Sequence, residues 1–588
     1  MKRASRRAAL TILAACALGG GAAVGLLPSY WLFLATGVLI TAVALLSLGL
    51  VAGRTGMIAL CQMSFAGVGA WTVGYMNIWQ VPGGLLLWIL IGGLAAVPLG
   101  IAIGLPALRL RGINLAIVTL SFAAAFDTVL ATITFPGQTS FQSVPRPALI
   151  DSDPGYFLFV LAAYALVAVG LAFLTRTRLG AAWLAIRHSE RAAAAHGVSV
   201  PMAKLSAFGI SAFIAGISGG LLAGFLGTLV SENFSLMQSL VLYAVATMAG
   251  AHLAEGAIIG GILITLFPEL LRRLDLAQDI GNVIFAIGAV QALAAGEAIA
   301  ESLRRLGRRL RGGASAAPAA AAAVRDGGLP ASPAGPRPPP DGAGPPVLAI
   351  RGLSVRYGAV VALDGVDLSV PQAAVVGLIG PNGAGKSTFI DAVTGFLETY
   401  EGEVALENRP LEGVAAHRRA QRGVRRSWQT TRIAPELTVG DYLTLAAGGL
   451  DEAERDRILA WLDCPAAEMP VAQVDAGTRR LLDVAGVVAA RPAVALLDEP
   501  AAGQSYDQTL RLAARIAEIP ALFGSSVLLV EHDMDLVRAA CAQVTVLDFG
   551  RVIAAGPPAE VLEDPAVKTA YLGVAEPAGG HAAAEAAS

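Results

Sequence analysis

The sequence predicts a polytopic α-helical membrane domain of about ten spans fused to an α/β domain built around a phosphate-binding loop. Three observations predict this. The 588 residues are 55% hydrophobic and only 15% charged, and the mean hydropathy is +0.64, too apolar for a wholly soluble chain of this length. The apolar residues crowd into the part before Ala300, while the remainder has an ordinary soluble composition. Finally, residues 380–388 read GPNGAGKST, which satisfies G-x-x-x-x-G-K-[ST] at every fixed position, between the apolar run VVGLI and the helix-compatible FIDAV.

The net charge of −2 offers no basic field for nucleic acid. The four cysteines, Cys16, Cys61, Cys464 and Cys541, are far apart with no C-x-x-C pair. They suggest packing, not a zinc site or a disulfide framework.

From the N-terminus, residues 1–7 are basic and precede an apolar stretch. A secretory signal would look similar at its start, but the apolar character runs on into a second stretch, which favours a first membrane span. Stretches long enough to cross a bilayer fall near 8–26, 30–51, 56–78, 83–105, 113–134, 156–174, 205–228, 235–250, 255–271 and 280–299. If the chain starts inside, nearly all the basic residues lie on the cytoplasmic side. The exceptions are Arg146 and the pair Arg272 and Arg273. An even count returns the chain to the cytoplasm, where nucleotide is found.

The outer loop over 135–156, rich in Pro, Ser and Asp, is either a docking surface for a soluble partner or a connector. Glycine-rich words such as Gly67-Val-Gly-Ala70 and Gly216-Ile-Ser-Gly-Gly220 predict close helix packing. Asp127, Glu232 and Glu255 fall near span ends, which argues against a proton relay. Gln62 and Asn114 read as interhelical hydrogen-bonding groups or as pathway-lining ones.

Residues 175–204 form a long cytoplasmic loop with two helix-like pieces, a stop at Gly197 and a proline at Pro201. This loop resembles the coupling loop of ABC importer permeases. Residues 108–120 (LRLRGINLAIVTL), Leu184-Ala-Ile-Arg187, His196-Gly197 and Lys204-Leu-Ser-Ala-Phe208 look like permeases of the LIV type. Those permeases take up branched-chain amino acids and related amide or urea solutes. From 307 to 346 the chain turns Ala-, Pro- and Gly-rich, which predicts a disordered linker and a domain boundary.

Within the soluble part, the glycines of the phosphate loop, Gly380, Gly383 and Gly385, let the backbone wrap round phosphates, with Asn382 and Thr388 completing the loop. Lys386 supplies a full positive charge and Ser387 a hydroxyl for Mg²⁺. These features predict binding of a nucleoside triphosphate. Downstream, AVALLDEP is an apolar strand ending in two carboxylates. Asp498 suits Mg²⁺ and Glu499 suits activation of water, because the carboxylate that holds the metal cannot also polarise the nucleophile.

With these motifs the soluble part resembles the ABC ATPases over residues 347–573, and the end of the match, 561–573, looks like LIV-type ATPase subunits. The resemblance implies an adenine-stacking role for Tyr357 and a γ-phosphate-sensing role for His532. It implies for Gln429 a place in the loop that links the metal site, with Ser387 and Asp498, to the permease. One motif departs. The family's L-S-x-G-Q aligns with Val474-Asp-Ala-Gly-Thr478, so only Gly477 survives and Asp475 would bring negative charge toward a partner's γ-phosphate. Residues 443–473 are short for the family's helical subdomain, and Gln504-Ser505 departs from the usual loop.

The domain reading is therefore a permease over 1–306, a linker over 307–346, an ATP-binding domain over 347–573 and a disordered tail over 574–588. The function it implies is ATP-driven import of a small solute, with branched-chain amino acids leading, across the cytoplasmic (inner) membrane by a fused half-transporter with its ATPase domain in the cytoplasm. ATP and Mg²⁺ are the expected cofactors. The expected partners are a second permease-ATPase half, an external solute-binding protein, the solute and membrane lipid, with no nucleic acid. The alternatives are a nucleotide-binding regulatory half with little turnover, or an ABC exporter, against which the short spans and LIV-like loop words speak.

Overall fold

The computed structural model describes residues 2–110, 112–138, 142–277, 279–296, 298–310 and 346–572. The expected tail, and the expected linker apart from 307–310 and 346, lie outside them. The chain divides into two compact units. One comprises the described residues of 1–188 and 200–319, the other those of 189–199 and 320–588.

The first unit contains α1 (Lys2–Leu26), α2 (Ser29–Leu48), α3 (Gln62–Ile78), α4 (Gly84–Gly104), α5 (Ile113–Thr132), α6 (Asp153–Leu174), α7 (Arg178–His188), α9 (Val200–Leu226), α10 (Leu236–Ala249), α11 (Ala254–Arg273), α12 (Asp279–Ala295) and α13 (Ile299–Leu310). The helix α8 (Glu190–Ala195), between α7 and α9 in sequence, belongs to the second unit. Each of the ten expected stretches contains a helix among the described residues. Seven are long and apolar enough to cross a membrane, with α2 continuing as a π-turn to Arg54. The other three, α3, α10 and α12, are shorter, at 17, 14 and 17 residues. The amphipathic α13 runs to Leu310, four residues beyond the expected start of the linker.

Small residues set the packing of α3, α4 and α9. A Cβ on Gly92 would lie 2.7 Å from Gly69 O, and one on Gly216 2.9 Å from Gly92 O. At Gly219 it would run into the Ala66 carbonyl. Such contact is how helices associate where no hydrophobic force separates lipid from protein. Gln62 is buried and donates to Ser47 Oγ at 2.6 Å and Ser211 Oγ at 2.8 Å, so it ties helices together. Asn114 is exposed. Asp127 accepts from Leu236 N at 3.1 Å, capping α10.

The basic exceptions to the topology pattern are explained locally. Arg146 donates to Gly224 O and Phe225 O, each at 2.9 Å, satisfying carbonyls at the C-terminus of α9. Arg272 and Arg273 both pair with Glu269, at 2.8 and 2.9 Å. The four cysteines are free.

In the second unit, β1 (Leu348–Tyr357), β2 (Val360–Val370), β4 (Glu401–Leu406) and β5 (Arg409–Pro410) form an antiparallel sheet in the order β2-β1-β4-β5. A second sheet has six strands, β3 (Val375–Ile379), β6 (Val424–Arg426), β7 (Val494–Asp498), β8 (Ser526–Val530), β9 (Gln543–Asp548) and β10 (Arg551–Gly556). Their order is β10-β9-β3-β8-β7-β6. All pairings but β9 with β10 are parallel. The strands β3, β7 and β8 are buried along their whole length, matching their unbroken apolar runs. The connecting helices are α14 (Lys386–Thr394), α15 (Ala416–Arg422), α16 (Val439–Ala447), α17 (Glu452–Trp461), α18 (Ala476–Ala489), α19 (Tyr506–Phe523), α20 (Met534–Ala540), α21 (Pro558–Val561) and α22 (Pro565–Leu572). Because β3, β8 and β7 are neighbours and parallel, the residues following them share one edge, the place where open α/β sheets bind ligands.

Candidate functional site

The loop after β3 turns through three left-handed glycines, Gly380 (φ +153°), Gly383 (+87°) and Gly385 (+105°). At Gly385 a Cβ would lie 2.6 Å from Ala362 O, so only glycine fits both the angle and the space. The turn aims the N-terminus of α14 and its unpaired N–H groups at the centre of the loop. Lys386 opens that helix and Ser387 and Thr388 follow in its first turn, with Ser387 and Asn382 exposed. Lys386 is 9% exposed and donates to Gly380 O at 2.6 Å and Pro381 O at 3.0 Å. Burial lowers its pKa, while Glu499 and Asp498 oppose that shift. A ring of backbone donors with one ammonium inside it fits a polyphosphate.

The carboxylates stand at the end of β7. Asp498 Oδ2 accepts from Arg426 Nη2 at 2.8 Å, and its own N–H donates to Ser427 Oγ at 3.1 Å. Burial raises the Asp498 pKa and Arg426 holds it down. Glu499 sits at φ +47°, a left-handed conformation uncommon away from glycine. Its N–H bonds Val530 O at 2.9 Å. Glu499 Oε2 accepts from Gln429 Nε2 at 2.7 Å, and Oε1 lies 4.0 Å from His532 Nδ1. His532 is exposed and stands beside the buried Glu531, whose Oε1 accepts from Ala501 N at 3.0 Å. Burial raises the Glu531 pKa.

Gln429, Glu499 and His532 are thus brought together, with Asp498 and Lys386 next to them. Ser387, Gln429 and Asp498 supply a hydroxyl, an amide and a carboxylate, the hard oxygen donors that suit Mg²⁺. Tyr357 ends β1 with a half-exposed ring. Among the described residues, Asp475 and Gly477 bond to none of this group. Instead Asp475 is the N-cap of α18, accepting from Thr478 N at 2.9 Å and Thr478 Oγ1 at 2.6 Å. These bonds lower its pKa.

Several residues around the site are absent from the motifs. Arg426 joins Asp391 Oδ1 (2.5 Å) to Asp498 and lies 4.2 Å over the Trp428 ring. Two arginines ending the short buried strand β6 were its signal in the sequence. Asp483 accepts from Trp428 N at 2.8 Å and from the Tyr442 hydroxyl at 2.8 Å. A lone carboxylate in an apolar helix face is the only trace of it in the sequence.

Three family models match the chain: "Branched-chain amino acid transport system / permease component" over residues 10–290, "ABC transporter" over 363–502, and "Branched-chain amino acid ATP-binding cassette transporter" over 551–577. The chain is 34% identical over 252 residues to the high-affinity branched-chain amino acid transport ATP-binding protein BraF of Pseudomonas aeruginosa, covering 99% of that protein and 39% of this chain. To LivG of Escherichia coli K12, of the same description, it is 33% identical with the same coverage. A solved nucleotide-free ATP-binding cassette from an ABC transporter is 27% identical, with a TM-score of 0.35, covering 40% of this chain and all of the other.

Proposed function

The chain belongs to the branched-chain amino acid ABC transporter family, with a multi-pass permease and an ABC-type ATPase in one polypeptide, and we propose that it is one half of an importer for branched-chain amino acids. The observation that carries the reading is that a LIV-type permease match and the grouping of Gln429, Glu499 and His532 at a phosphate loop occur in the same chain.

In this reading the half pairs with a second permease-ATPase half in the cytoplasmic membrane and receives solute from an external binding protein. The domain limits are 1–306 and 347–573, joined by the linker. ATP lies with its adenine on Tyr357 and its phosphates on Gly380, Asn382, Gly383, Gly385, Lys386, Ser387 and Thr388. Mg²⁺, held by Ser387, Gln429 and Asp498, would neutralise phosphate charge. Glu499 orients and polarises the attacking water, and His532 faces the γ-phosphate. Gln429 restrains Glu499 until nucleotide and partner are seated. Closure of two ATPase domains moves residues 175–204, and hydrolysis resets them.

The test uses the complex purified through a tag on this chain and reconstituted in lipid. Glu499→Gln should lower ATP turnover by more than about a hundredfold with ATP binding retained. Labelled leucine should enter vesicles only with ATP and binding protein supplied. Undiminished turnover in Glu499→Gln would instead make this the regulatory half of such a complex.

A further inference from the structure

The segment Ser189–Ser199 packs as part of the ATPase unit, although it lies between α7 and α9 in sequence. Ala192 and Ala195 of α8 pack on Trp428, the residue before Gln429, and Trp428 also meets Phe396 with ring centroids 5.4 Å apart. After α8, His196 is buried and its Nε2 lies 3.1 Å from the Tyr442 hydroxyl. That hydroxyl donates to Asp483 Oδ1 at 2.8 Å, which leaves its oxygen to accept from His196 Nε2–H. Asp483 Oδ2 in turn holds Trp428 N–H at 2.8 Å, and Gln429 Nε2 holds Glu499 at 2.7 Å. Burial and the Asp483 charge raise the Tyr442 pKa well above the ordinary phenol value, so it remains an O–H donor.

We propose that His196, Tyr442 and Asp483 are positioning residues, through which the seating of segment Ser189–Ser199 sets the backbone at Trp428 and so the hold of Gln429 on Glu499. A second line runs from Arg191 through Asp391 and Arg426 to Asp498. Its first pair is 45% and 25% exposed, where water screens it, whereas the residues of the His196 line are all under 9% exposed up to Trp428. The buried line is therefore the one that transmits position. The proposal rests on the ATPase reading above and assigns the residues that carry the permease signal to it.

A double-mutant cycle on ATP turnover tests this in the full, lipid-reconstituted complex, with Glu499→Gln as control. His196→Leu and Tyr442→Phe should each lower kcat about tenfold, with the KM for ATP within about twofold, and the double variant should be no slower than either. His196→Gln, whose amide can still donate to Tyr442, should recover most of the rate. Losses that multiply in the double variant, a rise in KM at constant kcat, or no loss would each overturn the proposal. If Tyr442→Phe fails to fold, shown by lost ATP binding, His196→Leu against His196→Gln decides, because both lie outside the sheet and its core. Failure of the Glu499→Gln control would count against the ATPase reading itself, whereas a multiplicative cycle with a normal control counts only against the relay.

Discussion

Arg426 Nη2 donates to Asp498 Oδ2 at 2.8 Å, with the two side chains 5% and 9% exposed. The guanidinium is the cation that lets a carboxylate exist at that depth. Arg426→Met would leave Asp498 and Asp391 without it, a loss of about 3 kcal/mol for a buried pair broken on one side. The effect has a definite pH dependence. The folded-state pKa of Asp498 is already raised above 3.8 by burial. Over the window just above 3.8, the folded chain retains a proton that the unfolded chain releases, so this group's contribution falls as pH rises. Without Arg426 that window extends upward. The stability deficit of Arg426→Met should therefore be larger at about pH 8 than at about pH 5. Thermal unfolding of ATPase signals at both values reads this, and an equal deficit at both would show that the pair is not what holds Asp498 ionised. The acid limb of the turnover profile should move up as well, since Mg²⁺ needs the ionised form.

Asp475 has two roles that a pair of substitutions separates. As the N-cap of α18 it stabilises the helix, and serine caps about as well, whereas alanine loses about 1 kcal/mol. Asp475→Ser should keep the melting temperature and remove a charge from the signature position. Asp475→Ala should remove both. If both variants raise turnover while only the alanine one melts earlier, charge at this position limits the partner site. Equal turnover in all three forms would show that it does not. The lowered pKa of Asp475 fixes the sign of the cap's pH dependence: its extra stability is present above the ordinary value of 3.8 and is lost as pH falls through the lower folded value.

The sequence made the phosphate loop, the two carboxylates and the ten apolar helices legible because each is a local pattern. Strand, turn and helix signals around residues 380–388 lie within one short stretch, and a left-handed glycine announces itself by type. The relations between patterns were less accessible. Nothing in the spacing of Arg426, Asp391 and Asp498 says that one arginine serves two carboxylates from different elements. Nor does it say that His196 meets Tyr442, 246 residues away. Pro201, read as part of the loop over 175–204, sits in the first turn of α9, where its missing N–H costs nothing. Helix α3 is the clearest difference: hydropathy put its start near 56, whereas the helix begins at Gln62, because the apolar residues 56–61 do not adopt helical structure.

Tyr357 is 53% exposed at the end of β1, where it pairs through its backbone with Val360, so its ring contributes little packing. Its removal should therefore leave stability unchanged. If adenine stacks on it, Tyr357→Ala should raise the KM for ATP by about tenfold with kcat unchanged, in line with about 1–3 kcal/mol for stacking on one base. Tyr357→Trp should restore the affinity. Steady-state kinetics over a range of ATP concentrations reads the split, and a fall in kcat without a change in KM would place adenine elsewhere.

Gly219 offers a test confined to the membrane unit. A Cβ there would meet the carbonyl of Ala66, and backbone cannot yield as a flexible side chain can, so Gly219→Ala must push α9 away from α3. Overpacking of this kind costs about 1–3 kcal/mol. It is felt across α3, α4 and α9, because Gly69, Gly92 and Gly216 are in similar contact. Gly209, where the nearest atom to an added Cβ is 3.6 Å away, supplies the control. Gly219→Ala should lower the thermal stability of the reconstituted complex and its solute uptake, while Gly209→Ala leaves both intact. ATP binding should be unchanged in each, since the phosphate loop lies in the other unit. Equal behaviour of the two variants would mean that close helix approach is not what holds these three helices together.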